Sequence, residues 1–157
     1  MGLLTDAFIA TEAELAATRF EGSSAPRDFF PTVPGKNLDP VKLGLLEAIV
    51  TEQEPDPETL TEMFDQPIRG DESTEEWIDL FSERFVARLA ELTEASISHY
   101  GARWASIEEW HSPRAKPLTP KDAAAHSAHV THYLQALCQL ARRAQAEEKR
   151  MYLWTCL

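Results

Sequence analysis

The sequence predicts an α+β fold that is mostly helical, with a small sheet formed by the N- and C-terminal strands. Both ends of the chain, 3–10 and 150–157, are short apolar segments rich in strand-forming residues. Between them, helix-start signals recur, each followed by apolar residues at helical spacing. With 157 residues, 43% of them hydrophobic, we interpret 1–157 as a single globular domain.

The first predicted strand leads into a short helix. Thr11 and Glu14 match the capping box, in which each side chain accepts a hydrogen bond from the other residue's amide. This helix is predicted to end near Phe20. The next segment, 21–38, contains three prolines and two glycines and is predicted to be a loop. We expect it to lie against the body of the protein, because it carries the apolar pair Phe29–Phe30.

Two Asp-Pro pairs predict further helix starts, with a carboxylate at the cap and proline in the first turn. The helix after Asp39–Pro40 has apolar residues nearly all round it, which predicts a buried central helix. The helix after Asp56–Pro57 is predicted to extend to about Phe64. Residues 66–73 are predicted to be a loop.

The sequence of residues 76–81, EWIDLF, fits either the start of a long helix or a third strand. Ser82 then predicts a cap for a helix over 83–92, and Thr93 predicts a cap for a second helix. After a loop over 111–118, Thr119–Pro120 predicts the start of the last helix, which reaches about residue 148. Because terminal strands commonly pair in small α+β domains, we expect the first and last strands to be neighbours.

The net charge of the chain limits the classes of partner that we expect it to bind. Fifteen basic and 26 acidic residues give a net charge of −11. An acidic surface repels phosphate groups, so we expect no nucleic-acid partner and no membrane partner. Simple solubility is the commoner explanation of such a charge, and a basic protein is the class of partner that fits it. The sequence does not indicate an oligomeric state.

The N-terminal segment lacks the basic residues of a signal peptide and carries Asp6 and Glu12. No apolar run approaches the roughly 20 residues that span a bilayer. The two cysteines, Cys138 and Cys156, show no CxxC spacing, which is ordinary cytosolic usage. We therefore expect a soluble, cytoplasmic protein.

Charged and aromatic side chains concentrate in the segment 103–111. The carboxylates of Glu108 and Glu109 lie between two tryptophans, and burial beside indoles would raise a carboxyl pKa, as in a general acid. The alternative is a structural ion pair with Arg103, Arg142 or Arg143. The tryptophans could line a ligand pocket or simply pack in the core. The candidate ligand-binding or interaction residues are Arg103, Trp104, Glu108, Glu109, Trp110 and His111.

Three histidines of the last helix, His126, His129 and His132, are spaced three residues apart. Successive members rotate by about 60° around the helix, so all three cannot ligate one ion without distortion. His126 and His129, completed by Glu108 or Glu109, are the candidate metal ligands. The alternative is solvent-facing imidazoles with one at the core margin, and we expect no metal and no cofactor.

No catalytic motif stands out along the chain. It has no GxSxG, no cysteine in a glycine-rich turn, no P-loop and no GxGxxG. Catalytic residues are therefore left unassigned, and a non-enzymatic protein is favoured over an enzyme.

Five segments carry a resemblance that spans nearly the whole chain: MGLLTDAFIAT, LDPVKLGLLEAIVT, FVARLAEL, RWASIEEW and LARRAQAEEKRMYLW. On these, the chain resembles a group of small uncharacterised bacterial proteins with no attached activity. Its layout is also similar to the YfbM-like family, which implies that 76–81 is a third strand. The chain departs from the group at Ser82, where a proline-containing turn is usual.

Together these observations predict a non-enzymatic protein-binding module. One concrete version is an immunity or inhibitor protein that masks a basic partner, since acidic surfaces steer cationic proteins efficiently. The alternative is a small hydrolase or ligand-binding protein that uses the Arg103–His111 segment, with or without a metal.

Overall fold

The computed structural model describes residues 3–20, 24–36, 38–56, 63–71, 75–111 and 117–157. Within these residues it contains five α-helices, five strands and two short 3₁₀ turns, which confirms the predicted α+β class. The strands are β1 (Leu4–Ala10), β2 (Thr32–Lys36), β3 (Phe64–Asp71), β4 (Glu76–Phe81) and β5 (Arg150–Cys156). The helices are α1 (Glu12–Ala17), α2 (Pro40–Val50), α3 (Glu83–Glu91), α4 (Glu94–Ala105) and α5 (Pro120–Ala146), and the 3₁₀ turns are Pro26–Asp28 and Glu108–Trp110.

The five strands form one antiparallel sheet in the order β2-β1-β5-β4-β3. The terminal strands pair along their whole length, from Leu4 opposite Cys156 to Ala10 opposite Arg150. The predicted pairing of the two termini is therefore confirmed. Residues 76–81 pair with the other side of β5, so the strand interpretation of EWIDLF is correct.

Both edge strands lie where the sequence predicted loops. Strand β2 falls inside 21–38 and contains Pro34, and β3 covers most of 66–73 and contains Pro67. Proline cannot donate to a ladder, but an edge strand has one side on which no donor is needed. Proline and glycine were therefore misleading loop signals here. The predicted helix after Asp56 lies largely outside the described residues, and its expected end, Phe64, already belongs to β3.

Five of the six predicted helix starts are confirmed, whereas the helix predicted after Asp56–Pro57 would begin in residues outside the described ranges. At each of the five caps the side-chain oxygen accepts a hydrogen bond from the main-chain amide three residues later, and at the first cap the capping box is complete. Helix α1 ends at Ala17, three residues earlier than predicted. The capping residues are Thr11, Asp39, Ser82, Thr93 and Thr119.

The sheet has two covered faces. Ala7 and Ile9 of β1 belong to the main core, together with buried side chains of α2, α3, α4 and α5. Phe8, on the opposite face, stacks on Phe30 at 5.3 Å between ring centroids. Segment 24–31 thus lies against the sheet as expected, although Phe29 remains 52% exposed. No helix in the described ranges is both long enough and apolar enough to cross a membrane.

Helix α2 is buried on most sides, as predicted, and two of its charges are buried with it. Lys42 pairs with Asp39 at the helix start, and Glu47 pairs with Arg84 of α3 at 2.7 Å. Buried charges are tolerated when they are paired in this way. Val41 is the exception on this helix, with 45% of its surface exposed.

Candidate functional site

Trp104, near the end of α4, is a core residue. Its side chain is fully buried, and its indole Nε1 donates a hydrogen bond of 2.8 Å to the main-chain oxygen of Lys42. The ring of Trp110, in the following 3₁₀ turn, packs edge to face against the Trp104 ring, with 5.3 Å between the ring centroids. Because Trp104 is satisfied and enclosed, it supports the site but cannot contact a ligand.

Four of the other predicted residues are exposed: Arg103, Glu108, Glu109 and His111. The 3₁₀ turn directs Trp110 inward and leaves both glutamates in water, so neither carboxylate is desolvated between indoles. The predicted general-acid arrangement is therefore not formed.

The alternative prediction, a structural bridge to an arginine, is also wrong. Arg142 instead donates to the carbonyl oxygens of Ala90 and Leu92, and Arg143 pairs with Glu147. Within the described ranges, neither Glu108 nor Glu109 forms an ion pair.

Trp110 is the predicted residue around which the site is built. Besides Trp104, its half-buried ring contacts the ring of His126, with 5.6 Å between the ring centroids. The Nζ of Lys42 lies over the Trp110 ring, 5.3 Å from its centroid. This position joins the 3₁₀ turn to α2 and α5. The indole Nε1 of Trp110 is shielded from solvent and has no hydrogen-bond partner among the described residues.

The three histidines of α5 occupy different environments. His126 is half-buried, whereas His129 and His132 are exposed. The ring centroids of His126 and His111 lie 5.5 Å apart. Burial lowers the pKa of His126, the neighbouring His111 and His129 lower it further, and a hydrogen bond with the main chain of Ala105 opposes them. Among the described residues, no group of three His, Cys, Asp or Glu side chains is arranged to hold a metal ion.

A pocket of about 330 Å³ opens beside Trp110. It lies between the paired strands β1 and β2, the two 3₁₀ turns and the part of α5 that carries His129, Val130 and Tyr133. Most of its wall is apolar or aromatic, as is usual for small-molecule sites. The lining residues are Leu4, Arg27, Pro34, Gly35, Leu38, Trp110, His129, Val130 and Tyr133.

Two further polar atoms without partners among the described residues lie near Gly35, one on the lining residue Tyr133 and one on Thr5, which does not line the pocket. The Tyr133 hydroxyl and the Oγ1 of Thr5 are both shielded from solvent and make no hydrogen bond within the part of the chain that the structure describes. A Cβ atom on Gly35 would lie 2.9 Å from each of these oxygens, so the glycine leaves the space between them open. Burial raises the pKa of Tyr133, and the nearby carboxylate of Asp6 raises it further, so the phenol keeps its proton.

Arg27 lies at the pocket and is held by Asp6 of β1. Its Nε donates to Oδ2 at 3.0 Å and its Nη2 donates to Oδ1 at 2.6 Å. Asp6 is fully buried, whereas 46% of the Arg27 side chain is exposed. This bidentate pair satisfies the buried carboxylate and fixes the guanidinium in position.

The sequence predicted only part of this site. Trp110 and His129 were candidates, whereas Arg27, Gly35 and Tyr133 were not. One signal was present: Asp6 is a charged residue inside an apolar strand, and a buried carboxylate requires a partner. Its partner could not be found from spacing, because Arg27 is 21 residues away in a segment without regular periodicity.

Comparison of the chain with protein-family models, with curated proteins and with solved structures finds no match in any of the three. The resemblance to the group of small bacterial proteins, and the similarity of layout to the YfbM-like family, therefore stay predictions.

Proposed function

We propose that this protein binds a small molecule in the pocket between β2, the Glu108–Trp110 turn and α5. The observation that carries the proposal is a mostly apolar cavity of about 330 Å³ whose lining includes Arg27, which is held by the buried carboxylate of Asp6. Two lining residues, Trp110 and Tyr133, also keep a polar atom that is shielded from solvent and has no hydrogen-bond partner among the described residues. Each such atom costs about 1–3 kcal/mol when its hydrogen bond with water is not replaced. Unsatisfied groups of this kind are rare in folded proteins, and Thr5, His126 and Thr155 carry others outside the lining of this pocket.

The shape and composition of the pocket support the same proposal. Its volume, about 330 Å³, is at the lower end of the range for small-molecule sites. Leu4, Pro34, Leu38 and Val130 supply an apolar surface for the body of a ligand. A few polar groups set into an apolar wall are the usual arrangement for orienting a bound molecule.

Binding of a basic protein stays a second proposal. It is supported by the net charge of −11 and by exposed carboxylates such as Glu108 and Glu109, which pair with no basic residue in the described part of the chain. A surface of this kind steers cationic partners but does not by itself define a binding site.

A fragment screen by thermal shift tests the first proposal. The variant His129→Trp places a bulky side chain at a pocket residue, and His132→Trp makes the same change at an exposed position of α5 that does not line the pocket. We expect fragments that raise the Tm of the native protein to do so in His132→Trp and to fail in His129→Trp. Finding no stabilising fragment, or fragments that are indifferent to His129→Trp, would contradict the proposal.

A further inference from the structure

The charge of the pocket differs from that of the rest of the protein. The chain as a whole carries 26 acidic and 15 basic residues. Among the described lining residues, however, no carboxylate is present, and the groups able to carry a positive charge are Arg27 and His129. A bound molecule would therefore meet cationic and neutral donors in a protein that is otherwise acidic.

Arg27 has hydrogen-bonding capacity to spare. A guanidinium carries five N–H donors, and the bidentate pair with Asp6 uses one on Nε and one on Nη2. The remaining donors lie on a group that is 46% exposed and already fixed by a buried partner. Holding the guanidinium in place in advance reduces the entropy lost when a ligand binds.

Two other lining residues also carry hydrogen-bond donors. The indole Nε1–H of Trp110 can only donate, and the protonated hydroxyl of Tyr133 can donate as well, but both atoms are shielded from solvent, so a ligand reaches them only if the wall moves. The apolar residues Leu4, Leu38 and Val130 line the same pocket. The complementary molecule has an anionic acceptor group at one end and a compact apolar body at the other.

We propose that the ligand is a small organic carboxylate, with its carboxylate on Arg27 and its apolar body against Leu38, Val130 and the ring of Tyr133. This inference rests on the proposed function, since it names the chemical class of molecule that the same pocket takes. The buried charge of Asp6 opposes an anion, but Arg27 stands in direct contact with that charge and compensates it.

Matched acid and amide probes test this class. Isobutyrate with isobutyramide, benzoate with benzamide, and phenylacetate with phenylacetamide have nearly the same shape and differ in charge. We expect the carboxylate to bind at least about tenfold more tightly than the carboxamide in at least one pair, because a charge-assisted hydrogen bond to arginine is about twice as strong as a neutral one. Arg27→Lys keeps a cation beside Asp6 but removes the planar pair of guanidinium N–H donors that fits a carboxylate. This variant should therefore lose most of the preference for the acid over the amide.

The outcomes separate the inference from the proposed function. Equal or tighter binding of the carboxamides, or binding of other neutral fragments without either probe class, would overturn the carboxylate inference and leave the pocket proposal standing. If no fragment of any class binds in a way that His129→Trp blocks, both fail. The comparison of acid with amide uses the native protein, so it does not depend on the folding of Arg27→Lys.

Discussion

The hydroxyl oxygen of Tyr133 lies 2.9 Å from the position that a Cβ atom on Gly35 would take. The Oγ1 of Thr5 lies at the same distance from that position, and the main-chain oxygen of Thr5 at 3.1 Å. A glycine on an edge strand thus meets two buried hydroxyls that have no hydrogen-bond partner in the described ranges. The shape of the pocket therefore depends on Gly35, which in the sequence looks like an ordinary loop glycine.

Gly35→Ala is expected to destabilise the protein by about 1–3 kcal/mol, because Tyr133 or β2 must move to admit the methyl group. Chemical denaturation measures this change. In a Tyr133→Phe background one of the close contacts is absent, so the same substitution should cost less. An equal cost in both backgrounds would show that the tyrosine hydroxyl does not restrict this position.

Tyr133→Phe is expected to stabilise the ligand-free protein by about 1 kcal/mol, because it removes a buried hydroxyl that bonds to none of the described residues. Tyr100→Phe is the matched control, since the Tyr100 hydroxyl donates a hydrogen bond of 3.2 Å to Oε1 of Glu52. That control should lower stability slightly. If both variants lose stability equally in denaturant titrations, the Tyr133 hydroxyl is satisfied in the free protein.

Gly101→Ala tests the packing of α4 on α5. A Cβ at Gly101 would lie 2.9 Å from both Cα and Cβ of Thr131 and closer still to its hydroxyl oxygen. Alanine normally gains about 1 kcal/mol over glycine within a helix, but here we expect a net loss of about 1–3 kcal/mol from overpacking. Thr131→Gly should reduce that loss when the two changes are combined. A gain in the free energy of unfolding for Gly101→Ala alone would contradict this packing.

The titration of His126 should make stability depend on pH. Its pKa in the folded protein is lowered below 6.5, first by burial and then by His111 and His129. The unfolded chain therefore takes up the proton at a higher pH than the folded chain does. The stability due to neutral His126 is complete above about pH 6.5 and falls as pH drops from there towards the folded pKa.

Denaturant titrations at several pH values measure this effect. His126→Gln should flatten the loss of stability below pH 6.5, whereas His132→Gln, at an exposed position of the same helix, should leave it unchanged. Identical slopes for the native protein and His126→Gln would exclude His126 as the source.

A basic protein partner should be recovered only at low salt. Exposed charges more than about 10 Å apart are largely screened at 0.1 M ionic strength, so an interaction that depends on the net charge of −11 weakens as salt rises. Pull-down at two salt concentrations, followed by mass spectrometry, measures this. Recovery of no basic protein at either concentration would count against the second proposed function.

Structural features that depend on residues close together in sequence were predicted well, whereas features that depend on residues far apart in sequence were predicted poorly. Five of the six predicted caps are confirmed, because a capping side chain and its amide lie three residues apart, and the sixth, at Asp56, leads into residues outside the described ranges. Strands β2 and β3 were missed because Pro34 and Pro67 are typical of loops, and only the sheet order shows that they lie on edges. Trp110 was found from its aromatic surroundings, whereas Arg27 becomes meaningful only once β1 brings Asp6 beside it.

The indole N–H signals in a ¹⁵N-correlated NMR spectrum test the central claim most directly. The chain has four tryptophans, and Trp110→Phe assigns the signal of the pocket residue. Trp154 is the internal reference, because its Nε1 is already bonded to Oε1 of Glu76 at 2.7 Å. We predict that a stabilising fragment shifts the Trp110 signal and leaves the Trp154 signal in place. If stabilising fragments leave the Trp110 signal unmoved, the pocket beside it is not the binding site.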